Sequence, residues 1–368
     1  MSQSLARISD AGLSIWLDDL SRERLNGSLK DMIERMYVVG VTTNPAIFSA
    51  AISGSDLYRD DILALASRGL DEAAIVRALT TSDVRNACDL FADLYRRSDG
   101  VDGRVSIEVD PELARDSTRT IEEGLALWDE VKRENLLIKV PATKEGLIAI
   151  EELTARGISV NVTLIFTPQR YREVIDAYLA GLERRVARNE AIDRIHSVAS
   201  FFVSRIDTEI DRRLKEETSA ADYSLLRGKA GVANAINAYA LFLESLKSER
   251  WQTLAQLGAR LQRPLWASTG VKDPAYSPTL YVDRLVTPDS VNTMPEKTLH
   301  AAAQISDAIE VLETGSDRFQ AAQEHISQLS EIGIEIEEIG QLLESEGLEK
   351  FVSPWRELHN EVRKLVTA

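Results

Sequence analysis

The sequence has little of what disulfide-bonded, metal-binding and membrane proteins need. One cysteine, Cys88, occurs in 368 residues, which excludes an internal disulfide framework and suits a reducing compartment. No apolar run approaches membrane-spanning length, and the first twelve residues lack the apolar core of a signal peptide. The histidines are few and show no metal-ligand spacing: His196, His300, His325 and His359. We therefore expect a cytoplasmic protein without a metal site and without a membrane partner.

Positive charge is also scarce. The chain has 43 Lys and Arg against 59 Asp and Glu, a formal net charge of −16. This balance argues against broad nucleic-acid binding, because a phosphate backbone would be repelled, and it favours solubility. An anionic substrate would need positive charge gathered locally, against the field of the whole molecule.

What the sequence does have is a regular alternation of β-type runs and helical periodicity, typical of βα units around a parallel sheet. About eight runs read as strands, the number that closes a (β/α)8 TIM barrel: 13–18, 38–42, 104–108, 136–140, 159–163, 197–202, 265–269 and a weaker one at 291–294. Amphipathic segments between them predict helices at 117–134, 144–156 and 168–189, with two or three more within 55–97.

No linker rich in proline, glycine or serine divides the chain. We therefore expect residues 1–368 to form a single α/β barrel domain, a length such barrels reach without splitting. Residues 296–368 are helical in character and should close the barrel and reach over its mouth. The acidic cluster within them, Glu335, Glu337 and Glu338, reads as a solvated face.

Lys139 stands inside the apolar run Leu-Leu-Ile-Lys-Val-Pro at 136–141. An ammonium group in such a strand is costly to bury as a charge, so burial favours the neutral amine. The neutral amine is the form that attacks a carbonyl carbon. The plain alternative is that Lys139 ends the strand and points to water, as most lysines do.

Counting by twos along the strands shows which residues share a face with such a lysine. Glu108 in the third strand and Asn161 and Thr163 in the fifth alternate with β-branched apolar residues. In a barrel, polar residues at the carboxyl ends of several strands converge on one spot. That spot would collect Asp18, Asn44, Glu108, Lys139, Asn161 and Thr163. An amine, two carboxylates and neutral hydrogen-bonding groups suit Schiff-base carbon–carbon chemistry.

Each of these residues also has an ordinary structural interpretation. Glu108 could end its strand in solvent, Asn44 before a proline could be a turn residue, and Thr163 could be a common strand threonine. Of the neighbours Asp18 and Asp19, we expect one to cap the helix that begins near residue 21, and we assign that role to Asp19.

A second set of residues is suited to an anion. Ser200 and Arg205 lie at the end of the sixth strand and just past it, and Ser268 and Lys272 follow the seventh in the same way. Arginine matches a phosphate by bidentate geometry, and the loops after the last two strands of a barrel are a common phosphate site. The alternative for Arg205 is an ion pair with a nearby aspartate, Asp207 or Asp211.

Four segments together resemble the motifs of the transaldolase family, in the family's order. They are Gly-Val-Thr-Thr-Asn-Pro at 40–45, Ser-Ile-Glu-Val-Asp at 106–110, Leu-Ile-Lys-Val-Pro-Ala-Thr at 137–143 and Val-Asn-Val-Thr-Leu at 160–164. The match continues through 200–205 and 266–272, so it covers strands one to seven. Segments 267–274 and 292–295 are similar to the larger bacterial members.

The resemblance implies a class I enzyme that uses neither a metal nor a cofactor. It would move a dihydroxyacetone unit from sedoheptulose 7-phosphate to glyceraldehyde 3-phosphate, giving erythrose 4-phosphate and fructose 6-phosphate, in the non-oxidative pentose phosphate pathway. Its partners would be phosphorylated sugars. We expect the protein to be a monomer or a homodimer.

The resemblance also implies roles for individual residues. Lys139 would form the Schiff base, and Asp18 would act as general acid and base on the hydroxyl at the cleaved bond. Glu108 with Thr163 would position the water that shuttles protons. Asn44 and Asn161 would hold the dihydroxyacetone hydroxyls, and Arg205 and Ser268 the phosphate. The complete substrate-binding set is Asn44, Thr42, Asn161, Ser200, Arg205, Ser268 and Lys272.

One position departs from the family pattern. Many transaldolases carry an arginine two residues after the phosphate-binding serine, where this chain has Gly270 after Ser268. Lys272 is the nearest cation in the sequence, and it would act as a point charge rather than as a fork.

Two other functions fit the same residues. A related Schiff-base aldolase would release free dihydroxyacetone instead of transferring it, and it would need the same Asp18 and Lys139. A barrel that binds sugar phosphates without catalysis would bind tightly but form no covalent intermediate.

Overall fold

The computed structural model describes residues 2–216 and 223–367. Within these ranges, eight parallel strands pair in sequence order, and the eighth pairs with the first to close a barrel. The strands are β1 (Leu13–Leu17), β2 (Val38–Val41), β3 (Arg104–Glu108), β4 (Leu136–Pro141), β5 (Val160–Ile165), β6 (Ser197–Phe202), β7 (Gln262–Ala267) and β8 (Ser290–Met294). The predicted (β/α)8 barrel is confirmed.

Helices surround the barrel, and three of them match the predicted bounds within three residues. The helices of the described ranges are α1 (Gln3–Asp10), α2 (Arg22–Asn26), α3 (Ser28–Arg35), α4 (Pro45–Ser53), α5 (Arg59–Ser67), α6 (Glu72–Arg97), α7 (Ser117–Val131), α8 (Lys144–Ala155), α9 (Pro168–Ala187), α10 (Ser204–Glu216), α11 (Ala230–Ser245), α12 (Glu249–Gln256), α13 (Leu280–Asp283), α14 (Glu296–Ala302), α15 (Asp317–Glu331) and α16 (Ile336–Thr367). Three short 3-10 turns, Asp56–Tyr58, Pro111–Leu113 and Ser224–Leu226, complete the set. None of these helices is long and apolar enough to cross a membrane.

The strand alternation sorts residues into two apolar layers. Ile138 and Val140 of β4 belong to the large cluster between barrel and helices, whereas Leu137 belongs to a second cluster. That second cluster also includes Trp16, Leu164 and Phe202, and it extends from the barrel interior to residues of α10, α15 and α16. Lys139 shares the inward face with Leu137, as counting by twos predicts.

Strand β7 begins three residues earlier than predicted. Gln262 and Arg263 are polar, yet both are buried, because Gln262 Nε2 donates to Ser197 Oγ at 2.9 Å and Arg263 donates to the carbonyl of Ser290 at 2.8 Å. The strand stops before Ser268, whose φ of 55° lies in the left-handed region. The strand pattern in the sequence therefore missed the first residues of β7, because they are polar.

The prediction that Asp19 caps the helix after β1 is wrong. Ser21 is the N-cap of α2, and its hydroxyl accepts from the backbone N–H of Arg24 at 3.2 Å. Asp19 instead forms an ion pair with the Arg24 side chain at 2.7 Å. Ser21 has an extended backbone directly before the first turn, and its short side chain reaches a backbone N–H that has no partner within the helix. Ser21 therefore takes the capping position that was assigned to Asp19.

Helix α16 passes over the carboxyl end of the barrel. Near its start, Gly340 lies against Thr167, and Gly347 lies against Leu164 and Arg205, where a Cβ atom would be 3.0 Å from the leucine and 3.2 Å from the guanidinium. Phe351 reaches the cavity at the strand ends. Small residues let the helix approach this closely. The acidic cluster Glu335, Glu337 and Glu338 is exposed, as expected of a solvated face.

Replacing Gly40 by alanine should destabilise the barrel by about 2–3 kcal/mol, since overpacking costs that much. A Cβ at Gly40 would lie 2.5 Å from the ring of Trp16, which is fully buried in the barrel interior. Denaturant unfolding measures the loss. In a Trp16→Leu background the same change should cost clearly less, and an equal cost in both backgrounds would contradict the steric explanation.

Candidate active site

The strand ends enclose a cavity of about 180 Å³ between the barrel and α16. Nine of the eleven predicted site residues line it: Asp18, Thr42, Asn44, Lys139, Thr163, Ser200, Arg205, Ser268 and Lys272. The other two, Glu108 and Asn161, are buried, and each bonds to a residue that lines the cavity, Glu108 to Lys139 and Asn161 to Ser200. The predicted residues therefore come together in one place.

Lys139 is buried, with 4% of its surface exposed, so the solvated-lysine alternative is wrong. Its Nζ donates to Glu108 Oε2 and to the backbone carbonyl of Thr43, each at 2.9 Å. Glu108 and Lys139 are direct partners in the register of β3 and β4, which explains the contact. The ring of Phe351 in α16 covers the amine, with its centroid 5.5 Å from Nζ.

Glu108 is buried as well, so it does not end its strand in solvent. Burial raises the pKa of this carboxyl, and the nearby Lys139 opposes that shift. Its second oxygen, Oε1, has no hydrogen-bond partner among the described residues, and neither does the hydroxyl of Thr163. Buried polar atoms are nearly always paired, so these two atoms remain available for a further hydrogen-bond partner.

Asp18 follows β1 and is held by its neighbours on both sides. Its carboxylate accepts from the Thr42 hydroxyl at 2.7 Å, and Thr42 in turn contacts the Thr293 hydroxyl at 2.6 Å. Its backbone N–H donates to the carbonyl of Met294 at 2.8 Å. Burial raises the pKa of Asp18, opposed by Lys139 and by the Thr42 hydrogen bond.

The two asparagine side chains of the site also form hydrogen bonds within the protein. Asn44 is the N-cap of α4, where its Oδ1 accepts from the N–H of Ile47 at 3.0 Å. The structural role of Asn44 is therefore that of a helix N-cap, not the turn residue of the alternative interpretation, and the residue also lines the cavity. Asn161 donates to Ser106 at 2.9 Å and accepts from Ser200 at 2.7 Å. Ser200 therefore connects the buried Asn161 to the cavity.

Arg205 does not pair with the aspartates that were the alternative. Asp207 accepts from Gly231 N–H and from the Tyr281 hydroxyl, both at 2.7 Å. Asp211 accepts from the Tyr276 hydroxyl at 2.6 Å. Arg205 lies instead over the ring of Phe202 at 5.1 Å, and its Nη1 has no hydrogen-bond partner in the described part of the chain. Burial lowers the pKa of this arginine, opposed by Glu346, Asp18 and Glu108.

The loops after β6 and β7 meet beside Arg205. Ser268 contacts the Ser204 hydroxyl at 3.0 Å, and Lys272 is an exposed cation on the rim of the same cavity. Gly270 leaves this corner open, because a Cβ there would meet no atom closer than 3.5 Å. Serine hydroxyls and two cations at one end of the cavity form a pocket suited to an anion.

Sequence reasoning missed six residues that line the cavity: Phe202, Ala267, Gly270, Thr293, Pro295 and Phe351. Thr293 could have been found, because it stands at the carboxyl end of β8 on the inward face. Phe351 could not, since it arrives from α16, far along the sequence, and no strand pattern specifies where that helix docks.

The arrangement suits amine chemistry on a carbonyl compound. A buried amine contacts a carboxyl whose pKa is raised, and a second carboxyl lines the same cavity. Among residues 2–216 and 223–367, no three His, Cys, Asp or Glu side chains group in a way that could hold a metal ion.

Comparison with known proteins gives a consistent result. The model of the transaldolase/fructose-6-phosphate aldolase family matches residues 15–362. A transaldolase of Mycolicibacterium smegmatis is 55% identical over 356 residues, 96% of this chain and 95% of that protein. A transaldolase of Mycobacterium tuberculosis H37Rv is 53% identical over 364 residues, 98% of this chain and 96% of that protein. A transaldolase of Renibacterium salmoninarum is 54% identical over 364 residues, 99% of this chain and 96% of that protein. The chain belongs to the transaldolase/fructose-6-phosphate aldolase family.

Proposed function

We propose that this protein is a transaldolase of the non-oxidative pentose phosphate pathway. It transfers a dihydroxyacetone unit from sedoheptulose 7-phosphate to glyceraldehyde 3-phosphate and releases erythrose 4-phosphate and fructose 6-phosphate. The observation that carries the proposal is the buried contact of Lys139 Nζ with Glu108, 2.9 Å long, at the base of a cavity that Asp18 also lines. The relatives named transaldolase, which cover nearly the whole chain, support the choice of reaction.

Imine formation needs a neutral amine and a path for protons. Glu108 accepts a proton from the Lys139 ammonium, which its raised pKa favours. The amine then attacks the ketose carbonyl at C2, and loss of water leaves a protonated imine. A water held between Glu108 Oε1 and the Thr163 hydroxyl, the two unpartnered atoms, relays the protons of these steps.

Asp18 carries out the cleavage. As a carboxylate it takes the proton of the C4 hydroxyl, the bond between C3 and C4 breaks, and its electron pair moves into the imine to give an enamine. Erythrose 4-phosphate leaves. The enamine carbon then attacks the aldehyde of glyceraldehyde 3-phosphate, and Asp18 returns its proton to the new alkoxide. Hydrolysis of the imine frees Lys139.

The enclosure of the site favours transfer over loss of the three-carbon unit. Phe351 lies over the amine, and α16 covers the cavity from Gly347 onward. An enamine sheltered from water persists until an acceptor aldehyde arrives. We further infer that residues 1–368 work as one barrel domain, with the helices of 296–368 closing it over the site.

The phosphate of both sugars binds at the far end of the cavity. Arg205 offers the unpartnered Nη1, and Ser268 and Lys272 lie beside it. The hydroxyls of the dihydroxyacetone unit are held by Asn44, Thr42, Asn161 and Ser200. Asn161 acts indirectly, because it accepts a hydrogen bond from the Ser200 hydroxyl.

Arg205→Met should raise KM for fructose 6-phosphate by about 10- to 100-fold, because a charge-assisted hydrogen bond in a half-buried site contributes about 1.5–3 kcal/mol. Lys272→Met should raise it less, by about 3- to 5-fold, since its cation is exposed. Steady-state kinetics at low salt measures both. With fructose, which lacks the phosphate, neither variant should differ much from the unaltered enzyme, and an equal loss on both sugars would contradict a phosphate role.

The direct test of the proposed function is borohydride reduction in the presence of fructose 6-phosphate, followed by peptide mass spectrometry. We expect a stable adduct on Lys139 and none on the exposed Lys144, which serves as an internal control in the next helix. Tight sugar-phosphate binding without any adduct would favour a binding protein and would reject the enzyme.

The family description also includes fructose-6-phosphate aldolases, so a second candidate reaction is release of free dihydroxyacetone. The two reactions differ in their need for an acceptor. Product formation from fructose 6-phosphate should depend on added erythrose 4-phosphate if the protein transfers the unit. Turnover that is independent of the acceptor would identify an aldolase.

A further inference from the structure

Arg24 binds three side chains at the edge of the site. Its Nε donates to Asp19 Oδ2 at 2.7 Å, and its Nη1 donates to the Ser28 hydroxyl at 3.0 Å. The same guanidinium forms a bidentate contact with Glu296, through Nη1 at 2.8 Å and through Nη2. A fork that binds a carboxylate in this way fixes orientation as well as distance.

The two carboxylates that Arg24 joins belong to the segments that follow β1 and β8. Asp19 directly follows Asp18 in the chain, and Glu296 begins α14 directly after Pro295, which lines the catalytic cavity. Asp18 itself donates its backbone N–H to Met294 at the end of β8. Arg24 thus connects the loop after β1 to the segment after β8, the two segments that hold Asp18.

The charge of Asp19 matters for Asp18. Burial raises the pKa of Asp18, and the neighbouring Asp19 raises it further. The other charged groups that act on Asp18 are Lys139 in β4, Glu108 in β3, Arg205 in α10 and Lys272 after β7. The three cations favour the ionised form, whereas Glu108 opposes it. Proton abstraction from a sugar hydroxyl requires the ionised form.

We propose that Arg24 is a positioning residue for the reaction: by binding Asp19 and Glu296 together, it neutralises the carboxylate next to Asp18 and fixes the loop that presents Asp18 to Lys139. The inference rests on the role of Asp18 in the proposed function. Nothing requires Arg24 to touch the substrate, because its side chain bonds to Asp19, Ser28 and Glu296.

Another arginine on the same helix offers a matched comparison. Arg22 also forms two ion pairs, with Asp61 and Asp83, and lies over the ring of Tyr58 at 4.4 Å. Its ion-pair partners lie in α5 and α6, and neither of them is Asp19 or Glu296. Arg22→Gln therefore disturbs α2 without changing the charge next to Asp18.

The test measures the ionisation of Asp18 directly, by carbon NMR titration of carboxyl-labelled aspartate with Asp18→Asn for assignment. Arg24→Gln should raise the titration midpoint of the Asp18 carboxyl by about half to one pH unit, because the negative charge of Asp19 is then no longer compensated. Asp19→Asn should lower it, and the double variant should return it toward the value of the unaltered protein. Arg22→Gln should leave it in place.

The acid limb of kcat against pH should move in the same directions and by similar amounts. A purely structural role of Arg24 would give losses of stability that add in the double variant and no opposite shifts. Equal shifts in the Arg22 and Arg24 variants, or none in either, would overturn the inference. If Arg24→Gln does not fold, Asp19→Asn still decides, because an unchanged midpoint there rejects any coupling to Asp18. Because the titration needs no turnover, its result stands even if transferase activity is absent, which separates the failure of the inference from that of the proposed function.

Discussion

Lys139→Met should lower kcat for dihydroxyacetone transfer by at least about 10⁴-fold and remove the borohydride adduct, because the proposed imine forms on Lys139 and the other lysine that lines the cavity, Lys272, is an exposed cation on its rim. Methionine keeps the length and most of the volume of lysine. The variant should still fold, since Glu108 can bind a proton and remain neutral once its cationic partner is gone. That expectation follows from the raised pKa of Glu108 in its buried site.

A coupled assay with fructose 6-phosphate and erythrose 4-phosphate measures the loss, and circular dichroism with thermal unfolding tests the fold. Lys144→Met is the matched control: it removes an exposed lysine at the start of the next helix and should leave kcat within about twofold. Residual transfer above about 1% in a folded Lys139→Met protein would remove this lysine from the mechanism.

The contact at the centre of the site follows from the sequence by local rules. Counting by twos places Glu108 and Lys139 on the inward face of adjacent strands, and parallel pairing in register makes them neighbours. The same counting brings Thr163 and Ser200 to the carboxyl end of the barrel. Each step depends only on the two-residue period of a strand and on closure of the sheet. The sequence alone was therefore enough to predict that these residues meet.

The parts that the sequence did not predict depend on contacts between distant segments. The docking of α16 is fixed by small residues, Gly340 and Gly347, against Thr167 and Leu164, and a helical pattern does not show which partner such glycines meet. Leu164 adopts a φ of 58° where the register of β5 and β6 shifts, an irregularity that no propensity signals. The ion pair between Asp19 and Arg24 likewise becomes visible only in the folded structure.

Asp18→Asn should lower kcat by about 10²- to 10⁴-fold, the range that a general acid–base group contributes, and should do so after the imine has formed. Asparagine keeps the shape of the side chain and can still accept from Thr42, but it cannot take a proton from the C4 hydroxyl. Lys139 and Glu108 are unchanged in this variant. The covalent intermediate should therefore accumulate with the whole ketose still attached.

Mass spectrometry after borohydride reduction distinguishes the step that stops. In the unaltered protein the peptide of Lys139 should carry a mixture of the six-carbon and three-carbon units, whereas in Asp18→Asn the six-carbon adduct should dominate. Asp289→Asn controls for loss of an aspartate, because Asp289 is exposed just before β8, at the opposite end of the barrel. A three-carbon adduct in Asp18→Asn would mean that cleavage proceeds without this carboxylate. The base would then have to be sought in Glu108, the carboxyl that Lys139 contacts, and a single group would serve both imine formation and bond cleavage.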